Sequence, residues 1–184
     1  MMKSLVVILV CISIILSSTA RADYALGCND PEYHQYIKER FAYFETKNRR
    51  SLANTLRDYE RSLATSKHPF QVIGDLSRHL KYSAQFEPIN EVNAKINRIF
   101  EHANKLSIGQ QIAGDVFDGF SSEKHSVGIA RAWIAYRQGN QELAFEELLK
   151  SIDISGSAVL SSFGPDLELI RHIYRDGHLA PVVD

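Results

Sequence analysis

The sequence predicts an all-α protein of antiparallel helical hairpins, arranged as an open solenoid or a compact helical bundle, and three observations carry that expectation. From Asp30 onward apolar residues recur at intervals of three and four, which paints one face of a helix. No sustained alternation of apolar and polar residues competes with that period. Breakers at Pro31, Pro69, Pro88, Gly139 and Pro165 mark places where helices start or stop.

The first helix opens at Asp30-Pro31-Glu32, where the aspartate can accept orphan backbone N–H groups and the missing donor of proline costs nothing. Its stripe is Tyr33, Ile37, Phe41 and Phe44. A second helix spans about Arg50 to Ser66 with Leu52, Leu56, Tyr59 and Leu63 on one side, and His68-Pro69 closes it. The third, Phe70 to Gln85, turns Ile73, Leu76 and Leu80 inward, with Gly74 as its weak point. From Pro88 the residues Ile89, Val92, Ile96, Ile99, Ala103 and Leu106 form the most regular stripe, a seam that packs within the chain or against a second copy.

Between Ile108 and Phe120 the glycines 109, 114 and 119 weaken any helix, and the spacing predicts a poor helix or an ordered loop. Ser121 or Ser122 is expected to cap the next helix, which runs to Gln138, and Asn140 its partner, which runs to about Ile152. Ser155-Gly156-Ser157 marks a connection. A last helix from near Pro165 is expected to bury Leu167, Ile170 and Tyr174 and to stop where Gly177 accepts a left-handed conformation.

Ahead of these helices, residues 1–22 have the layout of a secretory signal: Lys3, an uncharged apolar run from Leu5 to Leu16, and the small-residue ending Ala20-Arg21-Ala22. The run is shorter than the roughly 20 residues that cross a bilayer, and Arg21 and Asp23 interrupt its continuation, so no stable membrane anchor is expected after cleavage. Cys11 lies inside the run and Cys28 well beyond it, and neither is placed as a lipidation site. The expectation is therefore a secreted or periplasmic protein, residues 23–184 forming a single α-helical domain. Cys28 is then the sole remaining cysteine, a free thiol or one half of a bond between chains. The formal net charge of −1 over 184 residues gives no footprint for nucleic acid. Basic residues are in excess before Ile108 and acidic ones after it, a polarity that can orient an encounter with a partner.

The segment from Ala130 to Gly156 contains Ala132 in one helix, Gly139 at a turn, Ala144 where a second helix crosses closely, and Leu148 one turn later. On those residues it resembles one tetratricopeptide-like helical repeat, covering about residues 125–158. Gly128, Arg131 and Ala135 replace the family's usual tryptophan, leucine and tyrosine, and Gly156 replaces its closing proline. The resemblance implies a hairpin that stacks on neighbouring helices, since a single unit cannot bury its own apolar face. It also implies that Ile129, Trp133, Tyr136 and Arg137 line a concave surface for a peptide or partner helix. Trp133, Tyr136 and Arg137 are accordingly the candidate partner-binding residues, being of the types enriched at binding hot spots. Ile129, Trp133 and Tyr136 also stand at i, i+4 and i+7, the spacing of a buried stripe, so core and groove both remain open. Arg137 separates the two, because its exposure beside an apolar patch favours binding.

No arrangement for catalysis is legible. The seven histidines include no i, i+4 pair that would aim two rings at one metal, and solvated or capping roles are expected for them. There is no Gly-x-Ser-x-Gly and no phosphate-cradling Gly-x-x-x-x-Gly-Lys. Glu142, Glu146 and Glu147 read as a solvated face; Asp115 and Asp118 lack the alternating ligands of an EF-hand loop. No cofactor, no metal and no enzymatic activity are expected. The function that fits is an exported, non-catalytic module binding a protein or peptide, such as an envelope accessory or an immunity-type inhibitor. The rivals are a small envelope hydrolase using carboxylates and a structural oligomer joined through the Ile89–Leu106 seam. Mass spectrometry of the protein recovered from the exported fraction is expected to find a chain beginning at Asp23; an intact Met1 retained with the membranes would overturn the cleavage expectation.

Overall fold

The computed structural model describes residues 31–66, 68–110, 120–152 and 166–177. Residues 1–22, expected to be a signal, together with Cys28, Asp30, Asp115, Asp118 and the connection after Ile152, lie outside the described residues. Six α-helices are delimited among those described: α1 Pro31–Thr65, α2 Pro69–Phe86, α3 Ile89–Asn104, α4 Ser121–Arg137, α5 Gln141–Ile152 and α6 Glu168–Arg175. The fold is all-α, and the chain divides into two compact units, one ending at Thr46 and one beginning at Lys47.

In the first unit α1 carries a half-buried stripe of Tyr33, Ile37, Phe41 and Phe44, while Tyr36 and Tyr43 are exposed. Arg40 stacks its guanidinium over Phe44 at 5.0 Å and Tyr43 at 5.8 Å. The two helices expected here are one 35-residue helix. Glu45-Thr46-Lys47-Asn48-Arg49-Arg50 contains no proline or glycine, so the backbone has no reason to break there.

The second unit is organised around α2 and α4. On α2, Ile73, Leu76 and Leu80 are buried as their spacing predicts, each worth roughly 2 kcal/mol of apolar burial. His68 is extended (φ −108°, ψ 105°), as a residue before proline prefers, and Pro69 opens the helix. From α3, Val92, Ile96 and Ile99 enter the same core, with Leu106 just beyond the helix. The seam is thus covered within the chain. The remainder of α1 packs on α2 through an unexpectedly polar face: Asn48, Thr55, Tyr59 and Ser62 are buried, whereas Leu63 is 51 % exposed. Asn48 Nδ2 donates to Gln85 Oε1 at 3.1 Å, which turns this face of α1 toward α2 and Leu63 toward solvent.

Helices α4 and α5 form the hairpin that the sequence announces. Gly139 takes φ +79°, and the amides of Gly139 and Asn140 donate back to Tyr136 O and Ala135 O, both at 2.9 Å, in the arrangement that closes a helix at a left-handed residue. Asn140 Oδ1 accepts the Leu143 amide at 3.1 Å and caps α5. The start of α4 differs from expectation. Its capping position is Phe120, left-handed at φ 52° with no side-chain cap, and its ring stacks on Phe70 at 5.7 Å. The last helix also differs in register: Leu169 and Ile173 are buried, while Leu167 and Tyr174 are about half exposed. It begins at Glu168, so the residues meeting α4 are shifted by one or two positions; its Gly177 stop is left-handed at φ +86° as expected.

The tightest approach is between α4 and α5. A Cβ on Gly128 would stand 2.5 Å from Ser151 Cβ and 3.1 Å from its Cα, so a side chain there must push the helices apart. Gly128→Ala is expected to destabilise by about 1–2 kcal/mol, the strain exceeding the roughly 1 kcal/mol gained in helix propensity. Adding Ser151→Gly is expected to recover part of that loss, although Ser151→Gly alone destabilises. A double-mutant cycle from chemical unfolding reads the coupling, and simple additivity would contradict the close approach.

Candidate functional site

The hairpin has two faces, and they differ in what they touch. Trp133 is 3 % exposed and meets His172 edge-on at 4.9 Å and Tyr136 at 6.2 Å, which ties α6 to α4. The Tyr136 hydroxyl donates to Asp176 Oδ2. Burial and that neighbouring carboxylate push Tyr136 up to about 12, while the hydrogen bond from Arg175 holds Asp176 below the usual carboxylate range. Arg137 is exposed, but its Nη1 donates to Ala84 O at 2.9 Å and Glu87 O at 2.7 Å, the carbonyls ending α2, where a cation also opposes the helix dipole. The contacts of the three candidate residues are thus intramolecular, and they join the ends of α2, α4 and α6.

The other face of α4 borders a groove of about 500 Å³ between α2, α3, α4 and α5. Ile73, Ile99, Phe100, Ala103, Phe120 and Val127 supply its apolar walls. Phe100 is the most open of them, 47 % exposed although it follows the buried Ile99. Gly128 and Ser151 lie where the two helices of the hairpin touch. The rim carries Glu123, Lys124 and Arg131 from α4 and Glu147 and Lys150 from α5. Lys150 pairs with Glu146 at 2.6 Å and stands 3.9 Å from Glu147. Neither the Lys124 ammonium nor the Arg131 guanidinium has an ion-pair or hydrogen-bond partner among the described residues.

Sequence reasoning passed over this face, although a signal was there. Lys124, Val127, Gly128 and Arg131 fall at i, i+3, i+4 and i+7, an apolar patch with a cation at each end. Phe100, adjacent to the Ile96–Ile99 stripe, is the large apolar residue that stripe leaves outside. Glu147, read as part of a solvated face, instead stands on the rim.

Two histidines, for which solvated or capping roles are expected, are interior. His125 Nδ1 is 2.9 Å from Ser151 O and its Nε2 accepts the Asp166 amide at 3.2 Å, which assigns the proton to Nδ1 and links α5 to the approach of α6. Lys81 pairs with Asp166 at 2.5 Å. His79 is fully buried between α1 and α2, its Nδ1 3.2 Å from Thr55 Oγ1. Its Nε2 has no hydrogen-bond partner and lies 3.9 Å from Glu87 Oε1, while Glu87 Oε2 accepts from Ser83 and Lys95. Among the described residues no group of three or more His, Cys, Asp or Glu is placed to hold a metal, and no helix is long and apolar enough to cross a membrane.

Burial lowers His79 despite the opposing pull of Glu87. Burial would raise Glu87, but the hydrogen bonds from Lys95 and Ser83 outweigh it and hold that carboxyl below its ordinary range. The unfolded chain therefore takes up the histidine proton first. Stability is complete above the ordinary histidine value of 6.5 and falls as the pH drops below it; the Glu87 contribution is lost only below its own ordinary 4.5. His102, lowered by burial, adds to the decline in the same window. The melting temperature is expected to fall by about 4 °C or more between roughly pH 7 and pH 5. His79→Gln, less stable at neutral pH, is expected to show a flatter profile; an unchanged slope would remove His79 as the cause.

No family model, curated protein or solved structure matches this chain, so its functional reading rests on the groove and the hairpin themselves.

Proposed function

We propose that the protein is an exported, non-catalytic binding module, an envelope accessory or immunity-type inhibitor, that receives a segment of a partner protein in the groove bordered by α3, α4 and α5. The carrying observation is the half-exposed Phe100 standing at the edge of an apolar cavity of about 500 Å³. Pockets of this size and lining accommodate a few apolar side chains, and an aromatic residue at the lip has area to lose to a partner. The hairpin of α4 and α5, with its left-handed glycine turn and Asn140 cap, supports the helical-hairpin part of the reading. Export rests on the signal layout of residues 1–22.

The rivals have less support. A carboxylate hydrolase would use Glu123 and Glu147, the acids of the groove, but Lys150 stands beside Glu147. An oligomer through the Ile89–Leu106 seam would need Val92, Ile96 and Ile99, which are already buried within the chain.

Phe100→Asp is expected to leave the melting temperature within a few degrees of the native protein, since Phe100 is half exposed, and to weaken capture of the partner from the protein's own envelope extract by at least about tenfold, or about 1.4 kcal/mol. A folded Phe100→Asp protein that retains the same partner as strongly as the native one would overturn the groove reading.

A further inference from the structure

The groove has a charge pattern as well as a shape. Lys124 and Arg131 are seven residues apart on α4, two turns, or about 10 Å along the helix axis. Both stand on the rim without partners among the described residues. Between them on the same face are Val127, which is apolar, and Gly128, whose missing side chain lets Ser151 of α5 close in beside it. Across the groove stand Ile99, Phe100 and Ala103 of α3. Lys150 does not add to the demand for anions, because Glu146 and Glu147 already share its charge.

We propose that the segment this groove receives is an acidic amphipathic helix of the partner, with carboxylates seven positions apart and apolar side chains at the two intervening positions on the same face. This rests on the groove being the docking surface. A helix laid along α4 repeats the same two-turn spacing, so its two carboxylates meet Lys124 and Arg131 while its apolar pair enters the groove between Val127 and Phe100. A basic helix would bring its cations against Lys124 and Arg131. A single anionic head group would satisfy only one of two cations about 10 Å apart.

Two blocked, alanine-based helical peptides test this directly by fluorescence anisotropy. One carries glutamates seven positions apart with leucines at the two intervening positions on that face; the other replaces the glutamates with lysines. The native protein is expected to prefer the glutamate peptide by at least about tenfold, with the preference shrinking as salt is added. Lys124→Glu combined with Arg131→Glu is expected to reverse the preference. Should that double variant fail to melt cooperatively, Arg131→Gln serves instead and is expected to weaken the glutamate peptide several-fold. Equal binding of both peptides, or binding of neither, overturns the acidic helix as occupant. If Phe100→Asp still abolishes partner capture in that case, the groove reading stands alone; if capture is insensitive to Phe100→Asp, the groove reading falls first.

Discussion

Gly128 lets α4 approach α5 so closely that a methyl group there would collide with Ser151, and the rest of the second unit is arranged around that approach. Ala130, Ala132 and Ala135 keep α4 narrow on its other sides, and Ala144 does the same for α5. A helix this slender can touch α2, α3, α5 and α6 at once. Its buried residues are spread over several sides, and so its stripe has no single direction. Gly128 and Ser151, where the two helices meet, also stand in the wall of the groove.

Apolar stripes pull helices together without choosing their register, and here polar contacts between helices make that choice. Thr55 meets His79, Asn48 meets Gln85, His125 bridges Ser151 and Asp166, and Arg137 joins the end of α4 to the end of α2. Each of these bonds connects residues far apart in sequence and is lost if a helix slides by a turn. In a low-dielectric interior an unmade hydrogen bond costs more than a made one gains, which is why such contacts penalise wrong registers more than they stabilise the right one. His79 pushes this furthest, for its Nε2 faces Glu87 across a gap too long for a hydrogen bond.

The groove was only partly legible beforehand. Trp133, Tyr136 and Arg137 are of the types that binding surfaces favour, yet the same chemistry serves three intramolecular joints: an edge-on ring contact, a hydroxyl on a carboxylate, and a guanidinium on helix-end carbonyls. Residue type alone does not separate the two uses. Lys124 and Arg131 read as ordinary solvated charges until α3 and α5 are in place to make the space between them concave. Phe100 likewise reads as one more apolar residue next to Ile99.

Local properties of the chain determined the helices: the three-and-four spacing placed Ile73, Leu76, Leu80, Val92, Ile96 and Ile99 inward, and Gly139, Asn140, Pro69 and Gly177 marked boundaries, because a period, a cap or a left-handed turn needs only neighbours in sequence. Tertiary structure decided what depends on distant residues. It chose Asn48 and Thr55 over Leu63 for the buried face of α1, because Gln85 and His79 supply hydrogen-bond partners from α2. It shifted α6 so that Leu169 and Ile173, not Leu167 and Tyr174, face inward. It also selected which side of α4 is core and which is groove, since that follows from where three other helices pack, and no spacing within one helix encodes the position of its neighbours.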